Sequence, residues 1–453
     1  MMVMYMHLTP GDRSGATFMI IVQITPSAGD SFYCENCLRD ATLVKAMRKL
    51  GHDVLMIPLY LPLPIDESDS VDKTPIFFGG INVYLQQKSA FFRRTPRWFD
   101  RLLDSPRLLR WIGRKAGMTS ARNLGQMTIS MLRGEKGRQI KELDRLVEWL
   151  DAQDNKPDVV CLSNVLLGGL ARGIKQRLGV PVACLLQDED GFLDGLASPY
   201  SEQAWQIIAE RANDVDAFIS VSKYYADVMR QRLRLTSEQV YVVYTGISLD
   251  GYELRQVEPE IPTIGYLSRM CPDKGLDTLV EAFIHLKKNE KLKNARLRIT
   301  GGKMTDDEIF LNRIRKKLSS CSLIDDVEFL PDFDFNTKIA FLRTLSVLSV
   351  PEKQPVAYGL YVLEALAAGV PVVQPASGVF PELLEMTGGG VLCEPNNAAA
   401  LASAMEPLLL EPDYARQLGK QGRESVFEKF NIEQTAEEMV RIYGKITQQY
   451  ASG

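Results

Sequence analysis

The chain has 453 residues, of which 45% are hydrophobic and 24% charged, with a formal net charge of −4 at pH 7. At ~150 residues per domain the length points to two or three domains, and so ordinary a composition excludes a collagen-like, disulfide-scaffold or wholly disordered protein. The acidic balance argues against a dedicated nucleic-acid binder, and the longest uncharged run, residues 365–381, is 17 residues with three Pro, short of the ~20 apolar residues of a membrane-spanning helix.

Residues 1–18 carry no Lys or Arg before Arg13 and are expected to form a disordered N-terminal extension. The apolar run after them, 19–24, is six residues long, too short for a secretory leader. Seven Cys, an odd and sparse count, suit a reducing compartment, and the cytoplasm is the default location. Residues 19–24 read as a strand, 35–50 as a helix stopped by Gly51, and 53–59 as a second strand. Residues 158–162, 180–186, 216–220 and 240–244 continue the series. Each is apolar and largely unalternated, as strands are when both faces of a parallel sheet are covered by helices. Residues 248–262, with Pro259 and Pro262, read as a linker. The pattern then restarts at 261–267, 296–299, 327–330, 345–350, 370–373 and 390–393, and closes on a helical stretch at 432–448.

The fold class this predicts is α/β, with two Rossmann-like doubly wound parallel-sheet domains facing each other across a cleft. Their expected limits are 19–247 and 263–430, followed by a C-terminal helix at 431–453 placed to pack back on the first domain. Residues 91–140 break the alternation as a basic helical insertion, with 12 Lys/Arg against three acidic residues. Trp98, Phe99, Leu102 and Trp111 interleave there with Arg93, Arg97, Arg101 and Arg114. This pattern fits a solvated basic face or a surface for an anionic acceptor or anionic membrane leaflet.

Metal chemistry has little to build on. His7, His52 and His285 are far apart in sequence. Cys34 and Cys37 form a lone C-x-x-C at a helix start, which suits a structural role or, since the helix dipole lowers a thiol pKa, redox chemistry. Zinc would need two more ligands. The loop at 26–31, including Gly29, follows a strand and precedes a helix, so its backbone N–H groups could meet an anion. It has neither the G-x-G-x-x-G nor the Walker pattern, so neither NAD nor a P-loop phosphate is supported.

In the second half, Arg269 follows a strand and Lys274 opens the next helix, with Pro272 and Gly275 shaping the turn between. Two cations and a helix start at the carboxyl end of a parallel strand make a place for a diphosphate, although such a pair is also ordinary solvated surface. Further on, Gly359-Leu360-Tyr361 leads into a helix that carries Glu364 amid apolar residues, where a carboxylate needs hydrogen-bonding partners such as sugar hydroxyls.

Taken together with Gly51-His-Asp-Val, Pro157-Asp-Val-Val, Thr245-Gly-Ile, Gly265-Tyr-Leu-Ser-Arg, Asp273-Lys-Gly, Leu363-Glu-Ala-Leu-Ala-Ala-Gly-Val-Pro-Val-Val and Pro381-Glu, these segments resemble the glycosyltransferases of GT-B fold, family 4, also called group 1. The resemblance runs from about residue 19 to 448 and is densest in the second half. It implies a retaining, metal-independent transfer of a sugar from a UDP-, GDP- or ADP-sugar, with no cofactor, to a polysaccharide or lipid-linked acceptor. It implies a diphosphate held by Arg269 and Lys274, ribose hydroxyls held by Glu364, and backbone donors at Gly359, Leu360 and Tyr361. Gly29 would close on the donor from the first domain. Gln187, Asp188 and Asp190 are the acceptor- or sugar-side candidates. A location in the cytoplasm, at the inner membrane face where the contact is peripheral, goes with that reading.

The sequence departs from the family pattern in three places. The first Glu of the E-x7-E pair is Val356, the His expected near the reacting carbon is Gln187, and the Asn usual before Gly246 is Thr245. Gln187 can donate a hydrogen bond but cannot act as a base. Glu352, four residues before Val356, could reach in only if the loop differed. A degenerate GT-B protein that binds nucleotide or carbohydrate without transfer is the alternative that Val356 raises.

Overall fold

The apolar runs become two six-stranded sheets in which every strand pair is parallel. The computed structural model describes residues 18–26, 35–59, 77–78, 86–87, 121–253, 259–303, 307–330 and 335–452. Gly29, Cys34, the side chain of Cys37, residues 1–17 and residues 91–120 of the basic stretch lie outside the described residues.

The first sheet holds β1 (Ile20–Thr25), β2 (Asp53–Pro58), β3 (Val159–Leu162), β4 (Val182–Leu186), β5 (Ala217–Ser220) and β6 (Val240–Val242), in the order β2-β1-β3-β4-β5-β6. The second holds β7 (Thr263–Leu267), β8 (Arg296–Thr300), β9 (Val327–Phe329), β10 (Val347–Leu348), β11 (Val372–Pro375) and β12 (Gly390–Cys393), in the order β12-β11-β10-β7-β8-β9. Every residue of β3, β4, β5, β7 and β11 is buried, as expected of strands covered on both faces.

The helices that place the site are α1 (Glu35–Lys49), α2 (Glu189–Asp194), α3 (Lys223–Leu233), α4 (Leu276–Leu286), α5 (Asp307–Ser320), α6 (Phe335–Arg343), α7 (Leu360–Ala367), α8 (Phe380–Thr387) and α9 (Ile432–Ser452). Ile432, Ala436, Met439, Tyr443 and Ile446 recur every three or four residues along α9 and form one apolar stripe. That stripe is buried in the same core cluster as Ile21, Val44, Met47 and Val159, so the last helix of the chain completes the first sheet's outer layer. Each fully buried Ile or Met there contributes roughly 1.5–3 kcal/mol. The chain therefore crosses between the two halves twice, and the crossings lie side by side: Ile247 N–H donates to Phe430 O at 2.9 Å, and Ile432 N–H to Ile247 O at 3.0 Å.

Among the described residues no helix is long and apolar enough to cross a membrane.

Candidate functional site

In an open parallel sheet, ligands bind beyond the carboxyl ends of the strands, where neighbouring strands send the chain off in opposite directions. In the second sheet that place lies between β7 and β10, which are neighbours although not consecutive in the chain. The two segments singled out in the sequence leave from these two strands: Arg269 and Lys274 follow β7, and Val356 to Glu364 follow β10.

The turn after β7 is built for close approach. Pro272 opens a single 3₁₀ turn, Pro272–Lys274, and Gly275 takes φ +70°, a left-handed conformation natural to glycine. A Cβ on Gly275 would stand 1.9 Å from Pro351 O, so only glycine lets the loop after β10 lie against this turn. Arg269, with 41% of its side chain exposed, makes a two-pronged pair with buried Asp307 at the start of α5, both contacts at 3.0 Å. That pairing raises the guanidinium's affinity for its proton further. Lys274, 32% exposed, donates to the 3% exposed carboxylate of Glu352 at 2.8 Å.

The segment after β10 brings Gly359 to the N-cap of α7, with no side chain capping that end. The first N–H groups of a helix have no partner inside it, so Leu360 N–H is among the donors at this helix start. Glu364, one turn further, is mostly buried and pairs with Lys338 of α6. Val356 is 6% exposed and belongs to the second domain's core, and its carbonyl accepts from Val379 N–H at 3.0 Å.

The facing wall comes from the first sheet. Arg39 and Asp40 on α1 form a buried pair at 2.9 Å, Ser163 after β3 donates to Asp40, and the Gln187 amide after β4 donates to Ser163 Oγ at 3.1 Å and to the Ser163 carbonyl. Burial is the main influence on Asp40 and pushes its carboxyl up, against the pull of Arg39 and Ser163. Gln187 is fully buried in this chain of contacts, so its NH₂ is turned into the wall and not out to a ligand. Asp188 adopts φ +75°, and its carboxylate accepts from Ala357 N–H at 2.8 Å, across the gap between the two sheets. Its carboxyl is pushed up by burial and pulled down by the Ala357 N–H and by the nearby Lys274 charge. Glu189 is buried and accepts from Gln187 N–H at 2.8 Å, from Tyr225 Oη–H at 2.9 Å and from Val165 N–H at 3.3 Å. Burial nonetheless pushes its carboxyl up to about 7. Asp190 is half-buried, and its N–H donates to the Tyr225 hydroxyl at 3.3 Å.

Two further contacts bind the walls together. Ser222 Oγ donates to Ala357 O at 2.7 Å. Glu382 of α8 accepts from the N–H groups of Lys223 and Tyr224, both at 2.9 Å, and from the Tyr244 hydroxyl, so a carboxylate of the second half caps the start of α3 in the first.

The fold thus brings Arg269, Lys274, Gly359, Leu360, Tyr361 and Glu364 around the ends of β7 and β10, with Asp188 facing them. Gln187 is directed away, and Gly29 lies outside the described residues. Sequence reading missed the partners: Asp307, Lys338 and the capping role of Glu382. Each is an ordinary charged residue on a helix, and its distance in sequence from its partner, 38, 26 and 159 residues, leaves no local pattern to find. Glu352 was in view, but its contact with Lys274 depends on how the loop after β10 packs.

Residues 255–425 match the family model Glycosyl transferases group 1, and residues 125–250 match Glycosyltransferase Family 4. The chain belongs to the GT-B glycosyltransferases of group 1. It is similar to the GDP-mannose-dependent alpha-(1-6)-phosphatidylinositol monomannoside mannosyltransferase of Mycobacterium tuberculosis, 32% identical over 173 residues, which are 37% of this chain and 43% of that protein. The N-acetyl-alpha-D-glucosaminyl L-malate synthase of Bacillus anthracis is 33% identical over 119 residues, 26% of this chain and 30% of that one. The matched stretch thus spans less than half of either relative. Sucrose-phosphate synthase from Thermosynechococcus elongatus has the same fold, with a TM-score of 0.69 at 20% identity over 96% of this chain and 100% of that one. Anabaena HepE, solved in complex with UDP-glucose, gives 0.64 at 13% identity over 94% and 100%.

Proposed function

We propose that the protein is a retaining, metal-independent glycosyltransferase that moves a sugar from a nucleotide-diphosphate-sugar to a glycan or lipid-linked acceptor. One observation carries this reading: Arg269, Lys274 and the open start of α7 converge where β7 and β10 part, the place where an open α/β sheet takes a nucleotide. When the bond between sugar and diphosphate breaks, negative charge grows on the leaving phosphate. Arg269, Lys274 and the N–H groups of Gly359, Leu360 and Tyr361 are the groups placed to stabilise it. Glu364 accepts hydrogen bonds from the ribose hydroxyls, sharing its carboxylate with Lys338. The acceptor attacks from the face that the diphosphate vacates, which retains the anomeric configuration. Asp188, held at the mouth by Ala357, is the acceptor- or sugar-side carboxylate. HepE binds UDP-glucose and the mycobacterial relative uses GDP-mannose, so UDP- and GDP-sugars lead the donors to be tried, with ADP-sugars third. The phosphatidylinositol monomannoside in the mycobacterial relative's name supports a lipid-linked acceptor here. Peripheral contact with an anionic cytoplasmic leaflet goes with that acceptor and with the basic stretch at 91–140.

The test is release of nucleoside diphosphate from a UDP-, GDP- or ADP-sugar without acceptor. Slow release that disappears in Arg269→Ala and Lys274→Ala supports the reading, and nucleotide affinity unchanged in both variants overturns it. For the membrane contact, binding to phosphatidylserine vesicles that weakens with salt is expected, and equal binding to neutral vesicles refutes it. A second reading, nucleotide or carbohydrate binding without transfer, is favoured by Val356, whose buried side chain offers a sugar no hydrogen bond. Nucleotide binding with no turnover of any donor would establish it.

A further inference from the structure

Val356 removes a carboxylate from the loop after β10, yet the same loop carries another four residues earlier. Glu352 is 3% exposed, and burying a charge so completely is costly unless it is well partnered. Two groups already placed at the donor site are among its partners: Oε1 accepts from Lys274 Nζ at 2.8 Å and from the Tyr361 hydroxyl at 3.3 Å. Lys274 belongs to the turn after β7, and Tyr361 to the first turn of α7 after β10. Glu352 is thus the group through which the two phosphate-facing elements meet.

The surrounding contacts hold the chain on either side of it. Lys353 N–H donates to Asp273 O at 3.0 Å, and Lys353 Nζ to Asp277 at 2.7 Å, so the residue after Glu352 is tied to the same turn. Pro351, the residue before it, lies against Gly275 so closely that no Cβ fits between them. The backbone of Glu352 is thus anchored on both sides. The long Lys side chain, which has ~2 kcal/mol of rotamer entropy to lose, is held by Glu352. The Lys274 side chain remains 32% exposed, and its charge is near enough to Asp188 of the other wall to pull that carboxyl down.

We propose that Glu352 is a positioning residue of the donor site: its buried carboxylate aims the Lys274 ammonium and the first turn of α7 at one point, the leaving diphosphate. This rests on the donor-site reading above. The carboxylate lost at position 356 is not replaced as a sugar ligand, because Glu352 sits behind Lys274 and acts through it. The effect belongs to the transition state, when charge on the leaving phosphate is greatest, and less to ground-state affinity.

The experiment uses the full chain. Thermal shifts with UDP, GDP, ADP, UDP-glucose, GDP-mannose and ADP-glucose select the donor, with Arg269→Ala as control. Donor hydrolysis then gives kcat and KM for the parent, Glu352→Gln and Glu352→Asp, beside their melting temperatures without ligand. Expected is a kcat about tenfold or more lower in Glu352→Gln, with KM within about threefold, and partial recovery in Glu352→Asp, which keeps the charge. A parent-like kcat in Glu352→Gln overturns the proposal while leaving the donor site intact. So does an equal kcat loss in both variants that tracks a fall in melting temperature, since that marks a merely structural residue. A parent that binds nucleotide without releasing nucleoside diphosphate also overturns it. No nucleotide shift in the parent, or one unchanged in Arg269→Ala, removes both the proposal and the reading beneath it.

Discussion

Glu382 offers a direct measure of how firmly the two halves hold each other. Its carboxylate accepts from Lys223 N–H and Tyr224 N–H at 2.9 Å and from the Tyr244 hydroxyl. The first of these bonds is exposed and the second partly buried, so the usual ~1.5–3 kcal/mol of a hydrogen bond to a charged group must be discounted. About 1 kcal/mol for each backbone bond, with about 0.5 kcal/mol for a negative charge at the start of α3, gives ~2–3 kcal/mol from the helix cap alone. Glu382→Ala should therefore shift the balance between joined and parted halves by roughly 30–150-fold. Spin labels on exposed residues of each half, read by electron–electron resonance, would report this as a longer, broader distance distribution. Glu382→Gln, which keeps an acceptor but loses the charge, should fall between the parent and Glu382→Ala. Because Glu382 lies away from Arg269 and Lys274 in sequence and contacts neither in these bonds, nucleotide should still bind to the parted form. Distance distributions identical in all three proteins would refute the capping argument.

Three further outcomes can be checked. The Glu189 carboxyl is pushed up by burial from an ordinary 4.5 to about 7. Its contribution to stability is therefore whole below about pH 4.5 and lost as pH rises through about 7, so the melting temperature of Glu189→Gln relative to the parent should rise between pH 5 and 8, and a flat difference would contradict this. Gly275→Ala forces a Cβ to within 1.9 Å of Pro351 O at φ +70° and should cost ~1–3 kcal/mol in urea denaturation, together with loss of the nucleotide shift through displacement of Lys274. Among the five described free cysteines Cys321 alone is exposed, while burial pushes the Cys161 thiol up to about 12 and Cys184 likewise upward. Brief maleimide treatment followed by peptide mapping should therefore find Cys321 modified and Cys161 and Cys184 untouched, and early labelling of either of the latter would count against the packing described.

The sequence by itself determined the layout of the elements. Val, Ile and Leu runs without alternation suit strands covered on both faces, and the described strands fall on or beside those runs, with β3, β4, β5, β7 and β11 buried throughout and the edge strands β6, β9 and β12 only partly covered. The Arg269–Lys274 turn and the glycine before Glu364 were also legible, because their chemistry depends on neighbours within a few residues of chain. Only the tertiary structure decided the rest. A buried charge is satisfied by whichever partner packing brings, and nothing local announces that Asp307 meets Arg269, that Lys338 meets Glu364, or that Glu382 caps a helix in the other half. Gln187 shows the same limit from the other direction. Its place after β4 marked it as a ligand-facing residue, yet its NH₂ is taken up by the hydroxyl and carbonyl of Ser163 while its Oε1 is buried without a hydrogen-bond partner. Residue types and short spacings fix local conformation, whereas which charges face a ligand and which face each other is set by contacts between parts of the chain far apart in sequence.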